Sequence, residues 1–117
     1  ITCCYLIWRE PYMTVGGDTF INDMLERCGF INVFKQSQRY PIISIEAIQQ
    51  QECDLILLSS EPYPFKQQHI EEIKSKIKNS RTQVLLVDGE MFSWYGSRLI
   101  QSTQYFHQLM QTIAMNK

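Results

Sequence analysis

Three clusters of rings and charges stand out in this sequence, and each follows a short apolar run. Cys4-Tyr5-Leu6-Ile7 leads into Trp8-Arg9-Glu10-Pro11-Tyr12. Leu55-Ile56-Leu57-Leu58 leads into Ser59-Ser60-Glu61-Pro62-Tyr63-Pro64-Phe65. Val84-Leu85-Leu86-Val87 leads into Asp88-Gly89-Glu90-Met91-Phe92-Ser93-Trp94-Tyr95-Gly96-Ser97-Arg98. Aromatic faces with a few polar groups suit a large, flat, partly apolar ligand and not a small charged substrate. A single ring in such a loop is better read as a cap on a small core. Ringed loops after three strands on one edge point to a binding surface.

The most specific string is Trp94-Tyr95-Gly96-Ser97-Arg98. Arg98 can make a charge-assisted bond to a ligand carboxylate or phosphate, or it can pair with Asp88 or Glu90 and stiffen its own loop. Both readings stay open. Other chemistry is poorly supported. His69 and His107 fall in different helices without HxxxH or HxxE spacing, which predicts two helix-surface histidines and no metal site. Ser59-Ser60-Glu61 lacks the G-x-S-x-G elbow and an assignable base, so these serines read as the end of a strand and the start of a turn. Gly16-Gly17-Asp18-Thr19 is neither a P-loop nor a GxGxxG fingerprint, and reads as a tight turn with a helix cap. Cys3, Cys4, Cys28 and Cys53 form no CxxC pair and read as small buried hydrophobes. Such usage leans toward a reducing compartment without excluding the periplasm.

The elements that must position the ringed loops follow from period and punctuation. Residues 3–8, 54–58 and 84–87 are short, apolar and loop-bounded, as buried strands are. Ile21, Met24, Leu25 and Cys28 recur at helical spacing after Asp18 or Thr19 and before Gly29. Residues 31–34 and Tyr40-Pro41-Ile42-Ile43 read as extended. Ser44 caps a brief helix with Ile45, Ala47 and Ile48, and Glu46 sits in its first turn, where the dipole favours an acid. Pro64 opens a helix with Ile70, Ile73 and Ile77 inward and a Glu72–Lys76 pair outward. A last helix spans residues 97–115, with Leu99, Thr103, Phe106, Met110 and Ile113 inward. This alternation predicts a three-layer α/β/α domain with a mainly parallel sheet, whose ligands bind beyond the carboxyl ends of its strands.

The 117 residues suffice for one domain and one core. A net charge of −1 argues against nonspecific nucleic-acid binding, and no stretch reaches the length of a membrane span. The chain opens on Ile1-Thr2-Cys3-Cys4, inside a predicted strand and without a signal peptide, which suggests a piece of something longer or a processed form.

The ordered motifs resemble the carboxy-terminal lobe of class III substrate-binding proteins of ABC importers. This is the vitamin B12- and ferric-siderophore-binding superfamily, with its helical backbone metal receptor branch. The resemblance rests on Pro11-Tyr12, on the Gly17–Phe34 stretch GDTFINDMLERCGFINVF, and on RYPIISIE from Arg39 to Glu46. It continues through DLILLSSEPYPF from Asp54 to Phe65 and DGEMFSWYGSR from Asp88 to Arg98. It implies that residues 1–117 are one lobe of a two-lobed binding protein, with an amino-terminal lobe and a linker helix outside this chain. The ligand lies between the lobes.

Carried over residue by residue, the resemblance makes Tyr12, Tyr40, Glu90, Trp94, Tyr95 and Arg98 ligand-binding, with stacking on Tyr12, Tyr40 and Trp94 and orientation by Glu90 and Arg98. Tyr12 stands where the B12-binding protein has a Phe, Tyr40 where it has a Trp, and Trp94 where it has an Arg. That last departure widens the expected ligand from cobalamin to another corrinoid, a ferric siderophore or haem. Glu46 matches the lobe-surface acid that docks on the importer's membrane subunits. The implied protein is exported, periplasmic or at the cell surface, and is no enzyme. Two other classes remain to be weighed. One is a flavodoxin-like cofactor domain, which needs a phosphate-binding first loop. The other is an interaction module that self-associates through an exposed aromatic cleft.

Overall fold

The computed structural model describes residues 1–79, 81–93 and 99–115, and for 93 and 99–103 the backbone alone. Strand β1 spans Thr2–Trp8, β2 Met13–Thr14, β3 Ile31–Asn32, β4 Leu55–Ser59 and β5 Gln83–Val87. Helix α1 spans Phe20–Arg27, α2 Ile45–Gln51, α3 Gln67–Lys76, α4 Gly89–Ser93 and α5 Leu99–Met115. The sheet order is β2-β1-β4-β5, and β3 also pairs with β1. Strands β3, β4 and β5 run parallel in this sheet with β1; only β2 is antiparallel. The fold is therefore α/β with a mostly parallel sheet.

Strand period divides the apolar residues between two faces. Cys3, Tyr5, Ile7, Leu55, Leu57 and Val87 pack with Met24 and Leu25 of α1, Phe92 of α4 and Leu109 and Ile113 of α5. Cys4, Leu6, Ile56, Leu58 and Val84 pack with Ile48 of α2 and Ile70 and Ile73 of α3. Because β1 and β4 are covered on both faces, they read as continuous apolar runs. The adjacent Cys3 and Cys4 end in opposite clusters, and all four cysteines are free.

The local signals act as expected in several places. Thr19 caps α1 by accepting from the Asn22 amide at 3.1 Å, and Gly29 follows the helix at φ 86°. Ser44 caps α2 by accepting from the Ala47 amide at 3.1 Å. Other boundaries differ. Helix α3 begins at Gln67, three residues after Pro64, because its capping group is a side chain further on. The extended piece at residue 31 stops after Asn32, whose side-chain oxygen accepts from the Phe34 amide at 2.9 Å and turns the chain. Helix α4 stands where a loop was expected. Phe106, Met110 and Ile113 join the core as expected, together with Leu109, while the side chains of Leu99 and Thr103 lie outside the described residues.

Candidate functional site

The carboxyl ends of β1, β4 and β5 lie side by side, so their loops meet at one edge of the sheet. Buried and part-buried hydrogen bonds brace them. The Tyr5 hydroxyl donates to Ser59 Oγ at 3.2 Å, and Ser59 Oγ donates to the Glu61 carbonyl at 2.6 Å. Burial raises the Tyr5 phenol well above its ordinary value, so it remains a donor. Ser60 joins the third loop: its amide donates to the Val87 carbonyl and its hydroxyl accepts from the Gly89 amide at 2.9 Å. Gly89 has no room for a side chain, since a Cβ there would lie 2.5 Å from Ser59 Oγ and 2.7 Å from Glu61 Cγ. Tyr105 of α5 accepts from the Asp88 amide at 2.8 Å, and Asp88 Oδ1 accepts from the Glu90 amide at 3.0 Å.

The loop after β1 is held from the other side. Arg9 donates two hydrogen bonds to Glu72 of α3, at 2.8 Å and 2.6 Å. Those bonds, foremost, hold the Glu72 carboxyl below its ordinary range. Trp8 meets Tyr63 edge-on at 5.5 Å between ring centroids, and the Tyr63 amide donates to the Ile7 carbonyl. Behind Tyr63 lies His69, which the sequence placed on a helix surface. It is buried instead: Nδ1 accepts from the Lys66 amide at 2.8 Å, and the ring packs edge-on against Tyr63 and Phe65. A backbone N–H can only donate, so Nδ1 is unprotonated and Nε2 carries the proton toward the Tyr63 hydroxyl, 3.2 Å away. His107 is exposed.

Beyond the strand ends lies an open cleft of about 500 Å³ lined by Ile7, Ile21, Tyr40, Glu61 and Pro62. Tyr40 reaches it from the extended segment before α2 and is 49% exposed. Of the expected ligand contacts among the described residues, Tyr40 alone lines this cleft. Tyr12 is half-buried on the α2 and α3 face, with Lys76 Nζ 6.0 Å from its ring centroid. Glu90 is half-buried in the first turn of α4. Trp94, Tyr95 and Arg98 lie outside the described residues. Glu46 is exposed in the first turn of α2, apart from the cleft lining. Sequence reasoning missed Ile7, Ile21, Glu61 and Pro62 as cleft walls. The available signal was the Glu61-Pro62 pair directly after a buried strand.

The two glycine amides of the Gly16-Gly17 turn are already committed and not offered to a phosphate. Gly16 N donates to the Arg39 carbonyl at 2.7 Å and Gly17 N to the Ser37 carbonyl at 3.0 Å. A Cβ at either glycine would meet backbone of residues 35–38 at 2.3 Å or less. These glycines serve a close approach of two backbone segments. Among the described residues no three His, Cys, Asp or Glu side chains gather to hold a metal ion, and no helix is long and apolar enough to cross a membrane. An open, partly aromatic wall with one carboxylate is suited to hold a large ligand by contact.

No protein-family model and no curated protein sequence matches the chain. Solved structures do. A possible iron-binding (periplasmic solute-binding) protein from Staphylococcus epidermidis is 30% identical, with a TM-score of 0.70 over 86% of this chain and 41% of its own. The periplasmic vitamin B12-binding protein BtuF of Vibrio cholerae is 16% identical, with a TM-score of 0.74 over 97% of this chain and 45% of its own. The periplasmic heme-binding protein RhuT from Roseiflexus sp. RS-1 is 18% identical, with a TM-score of 0.65 over 92% of this chain and 46% of its own. The chain thus spans less than half the length of each. In fold, these 117 residues correspond to one lobe of the class of periplasmic solute-binding proteins represented by these iron-, vitamin B12- and heme-binding neighbours.

Proposed function

We propose that this chain is the carboxy-terminal, ligand-binding lobe of the substrate-binding component of an ABC importer. Its cargo is a large metal chelate: a ferric siderophore, haem, or cobalamin or another corrinoid. The observation that carries the reading is the cleft of Ile7, Ile21, Tyr40, Glu61 and Pro62, about 500 Å³ and open beyond the strand ends. The neighbour at 30% identity, described as iron-binding, favours an iron chelate as the first ligand to try. A second lobe closes the cleft, and Trp94, Tyr95 and Arg98 complete the ligand contacts from the loop after β5. Exposed Glu46 serves as the contact to the importer's membrane subunits, where a charged rim group sets orientation and encounter rate. The protein works outside the cytoplasm, periplasmic or at the cell surface.

The test is a titration of tryptophan fluorescence in the two-lobed protein, with the 117-residue chain beside it, using ferric siderophores, haem and cyanocobalamin. Saturable quenching by one chelate is expected, weaker in the single lobe. Tyr40→Ala should reduce that affinity about tenfold, the scale of an aromatic contact residue, while leaving the melting temperature nearly unchanged. A response to none of the chelates refutes the reading. Glu46→Arg should leave affinity intact and stop uptake by a reconstituted importer; undiminished uptake removes the docking role.

One observation favours a second reading. Tyr40 and Ile42 are 49% and 67% exposed on neighbouring residues of the same segment, as a self-associating module would have them. A monomer whose sedimentation is independent of concentration excludes it.

A further inference from the structure

The residue before Tyr40 holds a backbone conformation that its side chain disfavours. Arg39 has φ 59°, in the left-handed region that favours glycine. Such an outlier persists only where its surroundings fix it. Two bonds do so here. The Arg39 amide donates to Asp18 Oδ1 at 2.6 Å, and the Arg39 carbonyl accepts from the Gly16 amide at 2.7 Å. On the far side of Tyr40, the Pro41 carbonyl accepts from the Thr14 amide at 3.0 Å, and the Ile43 amide donates to the Tyr12 carbonyl at 2.9 Å. Backbone bonds thus join Tyr12 to Ile43, Thr14 to Pro41 and Gly16 to Arg39, in regular steps of two on both sides. The next bond joins Gly17 to Ser37 and breaks that register, so one extra residue is taken up beside Arg39. An extra residue with a left-handed neighbour is the arrangement of a β-bulge, which re-aims the side chain next to it. The side chain here is Tyr40, a wall of the cleft. Asp18 also stands one residue before the Thr19 cap of α1, the helix that carries Ile21, another wall. Thr19 Oγ1 accepts from the Asn22 amide, which leaves the Asp18 carboxylate to Arg39.

Resting on the chelate-binding reading above, we propose that Asp18 is a positioning residue for ligand binding: its carboxylate pins the left-handed turn at Arg39 and so holds the Tyr40 ring as a wall of the cleft. Asp18 itself is exposed and is not one of the residues lining the cleft. Its effect therefore runs through the population of one backbone arrangement. A ring held in place only about one fifth of the time raises the dissociation constant about fivefold, the scale of one net hydrogen bond.

The experiment compares wild type, Asp18→Ala, Asp18→Asn, Tyr40→Ala and the Asp18→Ala/Tyr40→Ala double variant in the two-lobed protein. Dissociation constants are read by tryptophan quenching with ferrioxamine B, haem and cyanocobalamin, and amide hydrogen exchange is followed without ligand. Asp18→Ala should weaken binding about fivefold, whereas Asp18→Asn, which keeps an acceptor oxygen, should stay within about twofold of wild type. In the Tyr40→Ala background, where affinity is already down about tenfold, Asp18→Ala should cost less than about twofold more. A purely structural role would not depend on the ring in this way. In the free protein, Asp18→Ala should speed exchange of the Gly16 and Thr14 amides, bonded to the Arg39 and Pro41 carbonyls, by about fivefold, and leave those of Ile56 and Leu57 in β4 unchanged. Equal losses of affinity with and without the Tyr40 ring overturn the proposal, as does an Asp18→Ala protein whose Gly16 and Thr14 amides exchange like wild type; chelate binding itself would then stand. Silence of wild type toward all three chelates overturns the chelate reading and this inference with it.

Discussion

Replacing His69 tests whether α3 is started by a side chain and not by Pro64. In His69→Ala the Lys66 amide loses its acceptor at 2.8 Å, and an uncapped helix start costs about 1 kcal/mol. The ring is 6% exposed and meets Tyr63 and Phe65 at centroid distances of 5.3 Å and 5.6 Å. Losing those contacts costs about another 1 to 2 kcal/mol. The sum is about 2 to 3 kcal/mol, a large share of a small domain's stability. His69→Gln separates the two contributions. A glutamine at the third helical position can reach back to the cap residue's amide, as in a capping box, and should recover about 1 kcal/mol. Urea unfolding followed by circular dichroism, extrapolated to water, gives the order wild type, Gln, Ala. The imidazole nitrogen shifts of the folded protein should also report the Nε2–H tautomer. A His69→Ala protein within about 0.5 kcal/mol of wild type, or a Gln variant no better than Ala, would refute the capping role.

Two further outcomes follow from charge and burial. The Glu72 carboxyl is lowered from 4.5 by its two bonds from Arg9, so the pair stabilises the fold above that value and the stabilisation fades as pH falls through the depressed folded value. Glu72→Gln should therefore cost about 1 kcal/mol near neutrality and progressively less in acid; a gap that does not close on acidification contradicts the assignment. Burial raises the thiols of Cys3 and Cys28 to about 12 and of Cys53 to about 11, and Cys4 well above its ordinary value. The folded protein at neutral pH should resist a thiol reagent that labels all four cysteines after denaturation, with half-exposed Cys28 the first to yield; rapid labelling of Cys3 or Cys4 would show that the sheet centre opens.

Much of the scaffold was legible because its signals are local or periodic. β1, β4 and β5 are runs of apolar residues bounded by turns, and α1 lies between Thr19 and Gly29. Elements set by distant partners were not legible. β2 is two residues, Met13 and Thr14, and exists through pairing with Leu6 and Trp8. α4 is five residues, fixed by Phe92 entering the core 5.2 Å from the Tyr5 ring. His69 looks like a polar residue on an exposed stripe until the chain brings Tyr63 and the Lys66 amide to it. The site divides in the same way. Tyr40 could be marked from the Arg39–Glu46 motif. Glu61 carried only the weaker signal of an acid-proline pair after a buried strand, because its place at the cleft also depends on Gly89, from the chain after β5, leaving space beneath its stem.

The proposed binding edge is braced by groups other than those it displays. Its bracing runs through buried and part-buried hydrogen bonds: Thr14 Oγ1 donates to the Tyr5 carbonyl at 2.6 Å, Tyr5 to Ser59, Ser59 to Glu61, and Gly89 to Ser60. Its displayed groups, Tyr40 and the Glu61 carboxylate, take no part in that bracing. A wall organised before the ligand arrives has less ordering entropy to lose on binding. It also lets the displayed residues change with little effect on folding. Substitutions at Tyr5, Ser59 or Gly89 should thus damage stability and affinity together, whereas those at Tyr40 and Glu61 should alter affinity alone. This separation explains how one sheet edge can present different ligand contacts while the strands beneath it stay the same.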